Sequence, residues 1–408
     1  YYFNKDNPLY SEAFKRGNSY YFPKRVIPMI PKRLSNKICS LRPNEDKLTI
    51  TVETHFNENM KIISQKVSES IINSDIRLTY EEVDDYFDKK STDFPKKIKN
   101  MLRDMRMLSN ILTKRKISAG YLNFDLPDSN YIFDEEGNIE DIKREVETES
   151  HKLIENFMVL ANQYISKELN KKAQTTLYRI HEIPEREDIV NIKNLMKNYG
   201  INIKLKNDFN KTLQQVLKSS KNEDFKRVFN KIILRKMKKA KYDISNQGHF
   251  GLALNYYTHF TSPIRRLCDL IIHYQIKANL TKTNKMKFSE QELKNIANQA
   301  SECENVADES EREVEKFYKI QFMKRNVGKK YTALITKILK KKLIIELDKY
   351  PVSGVIKIKN PKKYHFHKDM MILKNKKTGK KYKLADRINV KLIKVDEQDI
   401  YFNFSKKQ

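Results

Sequence analysis

"GHFGLALNYYTHFTSPIRRLCDLIIHY" (Gly248–Tyr274) combines two glycines, a Thr-Ser-Pro turn and two adjacent arginines ahead of an apolar run. Gly248 and Gly251 permit close approach of another backbone segment. Thr261 or Ser262 can cap a helix whose first turn would hold Pro263. Arg265 and Arg266 then fall where free N–H groups already attract anions, and a rigid guanidinium fork suits a phosphate better than a lysine does. These residues alone equally allow a second reading, in which the arginines decorate a capped surface helix.

Beyond this stretch, charge points to a polyanionic partner. The 408 residues carry 81 Lys and Arg against 52 Asp and Glu, a formal net charge of +29. Nucleic acid comes ahead of an anionic membrane as the partner such a balance implies. Enrichment in Lys, Asn and Ile is also what drift in an AT-rich genome gives, yet the charge is unevenly placed. Residues 327–408 hold 23 Lys and Arg against 7 Asp and Glu. With 39% hydrophobic residues the chain can build the cores of two to four domains. Cys39, Cys268 and Cys303 are odd in number and lack a C-x-x-C pair, which supports neither a disulfide framework nor a zinc site. A reducing cytoplasm is the expected compartment. No run approaches the roughly 18 apolar residues of a membrane span, and no signal-type start is present, so no membrane partner is expected. The first residue is Tyr1 rather than Met, and the chain reads as part of a longer protein.

Residues 1–60, punctuated by Pro23, Pro28 and Pro31, predict extended strand and loop. "KLTITVETHF" (Lys47–Phe56) alternates with period two and predicts a strand. Thr79 is placed to cap a helix over "YEEVDDYF", with acids in its first turn. "ESHKLIENFMVLANQYISKEL" keeps Leu153, Phe157, Leu160 and Tyr164 on one helical stripe, and Phe225, Val228, Phe229 and Ile232 mark another. Ser289 and Glu292 have capping-box spacing ahead of a long helix ending near Gly328, with Leu293, Ile296, Ala300, Cys303 and Ala307 on one face. The last 80 or so residues switch to short strands broken by Lys, Pro, Gly and Asp, the pattern of a small barrel.

"HFTSPIRR" with a following "DLIIH" resembles the signature of the RNB family of exoribonucleases, the family of ribonuclease R and ribonuclease II. "RGNSYYFPKRVIPMIPKRLSNKICSLRPNEDKLT", "IRLTYEEV", "HKLIENFMVLAN" and "LYRIHEIP" are similar to further family segments, in the family's order. From "VGKKYTALI" to "IYFNF" the chain resembles an S1 RNA-binding domain. The resemblance spans essentially the whole chain. It implies an α+β fold, with an RNB catalytic domain over residues 1–326 whose mixed sheet packs with helices around an RNA channel. A five-stranded OB-type barrel follows over residues 327–408. It further implies a processive 3′–5′ exoribonuclease that hydrolyses single-stranded RNA to nucleoside 5′-monophosphates with two Mg²⁺ ions, in RNA turnover and quality control. Such an enzyme would be a cytoplasmic monomer without an organic cofactor.

The same resemblance assigns roles. Arg265 matches the arginine on the scissile phosphate, with Arg266 beside it on the RNA. Tyr21 in "SYYFPKR" matches the aromatic that stacks on the terminal bases, Tyr80 in "RLTY" a ribose contact, and Glu155 in "LIENFM" the acid that helps read the 2′-hydroxyl. Taken singly, either tyrosine is an ordinary core or surface aromatic and Glu155 an ordinary solvated helix face. Lys340, Lys341 and Lys342 stand where an S1 stacking face has Gly and Phe, so RNA binding there would lean on charge and be steeply salt-dependent. Tyr364 and Phe366 could add aromatic contacts. His181, His249 and His259 are expected to be hydrogen-bonded structural residues. Glu311 and Arg312 resemble a polar segment near the family's active site.

Some family features are missing from the sequence. The family's magnesium ligands form a D-x-x-D-x-D-D cluster, which does not occur here, and "EEVDDYFD" with Asp84 and Asp85 reads as a helix surface. No metal ligand is therefore expected in this chain. The cluster, and the cold-shock-type domains of ribonuclease R, are expected upstream of Tyr1, and the chain alone is expected to be inactive. The alternative is a non-catalytic RNA-binding relative that has lost the cluster. Leu267, Tyr274 and Asn156 replace a family aromatic, a basic residue and a second acid.

Overall fold

Helix α1 (Pro8–Arg16) opens the chain where strand and loop were expected. Asn7 caps it by accepting the Leu9 N–H at 2.9 Å, and Pro8 occupies a first-turn position that needs no N–H. Gly17 ends it at φ +66°. Pro23, Pro28 and Pro31, which suggested extended chain, lie in and after the hairpin β1 (Tyr20–Phe22) and β2 (Arg25–Ile27). The computed structural model describes residues 5–90, 93–124, 126–219, 222–282 and 287–405.

The ladder β3 (Asp46–Phe56) and β4 (Ile62–Asn73) follows, then α2 (Tyr80–Phe87), α3 (Lys96–Ala119), the hairpin β5 (Asp128–Phe133) and β6 (Ile139–Glu145), and α4 (Glu149–Lys171). Next come β7 (Tyr178–Ile180), α5 (Arg186–Asn198), α6 (Phe209–Lys218), α7 (Glu223–Lys236), β8 (Lys241–Asp243), α8 (Leu267–Thr281) and α9 (Glu290–Lys324). In this region the described strands pair antiparallel, two by two. The capping box expected at the start of α9 is present between Ser289 and Glu292, and Thr79 caps α2 as expected, completing a second box with Glu82.

Contacts divide the chain into two compact units. The first comprises residues 1–122, 147–183 and 238–311. Its core gathers around α8, whose Leu267, Ile271 and Ile272 are fully buried with Met29, Ile165, Leu169 and Leu293. Burying each such side chain contributes about 1.5–3 kcal/mol. A helix apolar on nearly every side must lie inside, which makes α8 the central post of this unit. Leu293, Ile296, Ala300 and Ala307 of α9 are buried as the spacing predicts. Cys303 lies against Gly17, where an added Cβ would come within 2.4 Å of the Cys303 Cβ.

The second unit comprises residues 123–146, 184–237 and 312–408. Its strands are β9 (Lys330–Ile338), β10 (Lys342–Leu347), β11 (Ser353–Lys357), β12 (Tyr364–His367), β13 (Ile372–Asn375), β14 (Lys381–Tyr382), β15 (Arg387–Val395) and β16 (Ile400–Phe404). Five of them close a barrel in the order β10–β11–β16–β15–β9, with β11 and β16 parallel, and β12–β13–β14 form a separate small sheet. At Gly354 a Cβ would lie 2.4 Å from the Phe402 ring, so only glycine fits where β11 meets β16. Glu346 of β10 is buried yet charged: Arg144 of β6 reaches it at 2.7 Å and Lys231 of α7 also bonds it. Burial alone would raise its carboxyl, but these two cations outweigh that and hold it below the usual range. No helix among the described residues is long and apolar enough to cross a membrane.

Candidate functional site

The loop from Tyr257 to Arg266 is held at almost every residue. Thr258 Oγ1 donates to the Leu177 carbonyl at 2.6 Å, and the Arg179 N–H donates to the Tyr257 carbonyl at 2.9 Å. Asn162, buried on α4, accepts the N–H groups of Phe260 (2.9 Å) and Thr261 (3.3 Å) and donates to the Tyr257 hydroxyl. His273 Nε2 lies 2.9 Å from the Phe260 carbonyl. The Thr-Ser-Pro turn does not begin the following helix as expected: residues 261–266 stay outside it, and α8 starts at Leu267 with Arg266 as N-cap. No side chain caps α8. From inside its first turn the Asp269 carboxylate accepts the Ser262 N–H at 2.7 Å and the Arg266 guanidinium at 2.8 Å, which ties the turn back to the helix that it precedes.

This loop is clamped to the segment after α1. The Ser19 N–H donates to the Arg265 carbonyl at 3.0 Å, and the Leu267 N–H to the Gly17 carbonyl at 2.8 Å. An open cleft of about 200 Å³ results, lined by Tyr21, Arg265, Arg266, Tyr242, Glu304 and Glu311. Arg265 is exposed, and its guanidinium makes no hydrogen bond or ion pair among the described residues. Arg266 is committed to Asp269, so two neighbours of the same type divide into a free fork and a fixed one. Tyr21 is 46% exposed, while its backbone N–H donates to Glu311 Oε1 at 2.9 Å. Glu304 takes the Arg179 guanidinium in two bonds of 2.6 and 2.9 Å. His259 Nδ1 lies 2.8 Å from the Tyr242 hydroxyl, and burial reinforced by Arg266 pushes its pKa well below that of an ordinary histidine.

Tyr80 and Glu155 form a second cluster, around the start of α4. The Tyr80 ring, 43% exposed, stacks on His151 with centroids 3.8 Å apart. One turn further on, Glu155 accepts from Lys116 Nζ at 3.0 Å and from the Tyr121 hydroxyl at 3.4 Å. Burial, and then the Glu155 charge, raise the Tyr121 phenol far above its ordinary value. Asn156 points the other way, into α3, where it donates to Ser109 and Thr113, so a carboxylate there would face buried oxygens. Asp84 is less exposed than a helix-surface residue should be. It accepts the Ser150 N–H and hydroxyl at 3.0 and 2.7 Å, tying α2 to α4. Burial would raise its carboxyl, but bonds from Thr148 and Ser150 outweigh it and hold the group low. Asp85 pairs with Lys90.

Lys340, Lys341 and Lys342 belong to the second unit, exposed at the turn from β9 to β10. Among the described residues no three His, Cys, Asp or Glu side chains converge to hold a metal, so these residues do not fit the Mg²⁺ ions that the resemblance implies. The histidines are structural in geometry, with His181 Nδ1 accepting the Gly251 N–H and His249 Nδ1 accepting the Leu252 N–H, each at 3.2 Å. Burial, then His181 and Arg179, drive the His249 pKa down to about 3. Asn162, Asp269, Lys116 and His151 were not singled out from sequence. Asp269, three residues after Arg266 inside the quoted motif, was the one with a visible local signal.

The RNB domain matches residues 1–282 and the S1 RNA binding domain residues 324–407. Ribonuclease R of Aquifex aeolicus is 35% identical over 98% of this chain, and that of Escherichia coli strain K12 is 31% identical over 99%. The chain spans 57% and 52% of those two proteins. The apo form of Mycoplasma genitalium RNase R superposes with a TM-score of 0.91 at 26% identity, covering 99% of this chain and 65% of that one. A helix-plus-sheet region carrying the clamped Arg265 loop, followed by a closed five-stranded barrel, places the chain in the RNB family, with an S1 domain at its C-terminal side.

Proposed function

We propose that the protein containing this chain is a 3′–5′ exoribonuclease that degrades single-stranded RNA processively to nucleoside 5′-monophosphates in RNA turnover and quality control. This chain supplies the grip on the RNA. Residues 1–326 act as the catalytic domain and residues 327–408 as an accessory RNA-binding module, in a cytoplasmic monomer. One observation carries this reading: Arg265, exposed and without a side-chain partner among the described residues, stands on a loop that buried Asn162 and Asp269 hold still, in a cleft that also exposes the Tyr21 ring. The relative from Mycoplasma genitalium has been solved with ribose methylated single-stranded RNA and with double-stranded RNA, which supports RNA as the substrate class.

In this reading the Arg265 fork binds two oxygens of the phosphate being cut, and its worth lies in needing no reorganisation as charge builds. Arg266 shares the anionic strand at longer range and positions its neighbour through Asp269. Tyr21 stacks on a terminal base without regard to its identity, with Glu311 fixing the strand that carries it. Tyr80, backed by His151, packs on a ribose, and Glu155 accepts from a 2′-hydroxyl, the group that separates RNA from DNA. Lys340, Lys341 and Lys342 add phosphate contacts from the barrel.

Degradation of 5′-labelled single-stranded RNA by the whole protein, with and without Mg²⁺, tests the proposal. Laddering to a short 5′ end product that requires the metal is the expected result. Tight binding without cleavage would overturn it in favour of a non-catalytic RNA-binding relative.

A further inference from the structure

Between barrel strands β11 and β15 the chain leaves the barrel to make the small sheet β12–β13–β14. Residues 359–383 contain ten lysines and a single acid, Asp369. All ten lysines are exposed, and none forms an ion pair among the described residues. Register sorts the sheet into two faces. Phe366, Leu373 and Tyr382 lie side by side across the strands, with Leu373 and Tyr382 buried and Tyr382 stacked on Phe404 of β16. On the opposite face His365, Lys374 and Lys381 form the matching row, with Lys374 directly opposite Lys381. Like charges at directly opposed positions destabilise a sheet, and here no carboxylate relieves them. The sheet is nevertheless firmly held, since the Tyr199 hydroxyl donates to the Met371 carbonyl at 3.3 Å and accepts the Leu384 N–H at 3.0 Å. Asn375 fixes the turn that presents Lys376 and Lys377 by accepting the N–H groups of Lys377 and Thr378, each at 3.0 Å.

We infer that the outer face of β12–β13–β14 is a docking platform for the phosphate backbone of RNA, separate from the Lys340–Lys342 turn and indifferent to sequence. The opposed Lys374 and Lys381, about 4.8 Å apart on a braced sheet, with Lys376 and Lys377 at its turn, match a polyanion in charge, and their ammonium groups suit phosphate oxygens rather than a base edge. This inference rests on the reading of the chain as RNA-binding.

Anisotropy titrations of a labelled single-stranded RNA with the full chain, across a range of salt, test it. The Lys374→Gln, Lys376→Gln, Lys377→Gln, Lys381→Gln variant changes only exposed side chains. It should bind more weakly at low salt, and the slope of log K against log salt should become shallower by about 2 to 3, at roughly 0.7 per lost phosphate contact on a single strand. An unchanged slope in this variant, with weaker binding by the Lys340→Gln, Lys341→Gln, Lys342→Gln variant, would overturn the platform and leave the RNA reading intact. Absence of RNA binding by the unsubstituted chain would remove both. Loss of binding to phosphatidylserine vesicles in place of RNA would reassign the face to a lipid surface.

Discussion

Arg265 and Arg266 are adjacent in sequence yet differ in what they can do, and the difference comes from one buried carboxylate. With Asp269 holding Arg266, the exposed fork of Arg265 is the one available to a ligand. In the whole enzyme, Arg265→Ala should lower kcat by about 10²–10³-fold, the usual cost of losing one preorganised donor to a developing anion. Single-turnover cleavage measures it, and a kcat within threefold of wild type would count against the assignment. Gly17→Ala should destabilise the first unit by about 2–4 kcal/mol in urea unfolding, since it combines φ +66° with a Cβ 2.4 Å from Cys303. At this scale the family resemblance, rather than the residues taken singly, picked out Tyr21, Tyr80, Glu155 and Arg265, and the structure leaves Tyr21, Tyr80 and Arg265 exposed and Glu155 half-buried. Asn162 was illegible, because an asparagine on an apolar helix announces nothing until the loop that it satisfies folds against it.

Elements were readable where periodicity or capping was local. The Thr79 cap, the Ser289–Glu292 capping box, the β3 strand and α4 follow from local spacing. Helix α1 was obscured because proline was read as a breaker, although Asn-Pro at positions 7 and 8 is itself a helix-start signal. The start of α8 at Leu267 was not legible, because the bonds of Asp269 to Ser262 and Arg266 that hold the turn outside the helix form only in the folded chain. The loop ahead of α8 should be the acid-sensitive part of the first unit. His249 has a folded pKa of about 3 against an ordinary value near 6.5. Its contribution is complete above pH 6.5 and is lost as pH falls towards 3, because the unfolded state takes up the proton first. Urea midpoints should therefore fall through that window, and His249→Gln should flatten the fall. Asn162→Ala leaves two buried N–H groups unsatisfied and should cost about 2–4 kcal/mol by the same measurement.

At the scale of the whole molecule, a small barrel of about five strands was legible from the short β-rich runs of the last 80 or so residues, while its strand order and the added sheet β12–β13–β14 were not. The discontinuity of the two units was not, since no local signal says that residues 123–146 and 184–237 belong with the barrel. Glu346 is the clearest mark of that association. Glu346→Ala should cost the second unit about 3–5 kcal/mol, because Arg144 and Lys231 would keep their charges and lose their counter-ion. Glu346→Gln should recover part of the loss through its remaining hydrogen bonds, and thermal unfolding of the two variants separates them. The same carboxylate also sets a schedule. Arg144 precedes it by 202 residues and Lys231 by 115, so at ribosomal speeds of about 5–20 residues per second Arg144 waits roughly 10–40 seconds for its partner to be synthesised. During that interval a nascent chain exposes Arg144 and, later, the net cationic helix α7 without the carboxylate that they share. Slowing translation late in the message should lengthen that vulnerable state, and abundant cellular polyanions would be the first to find it.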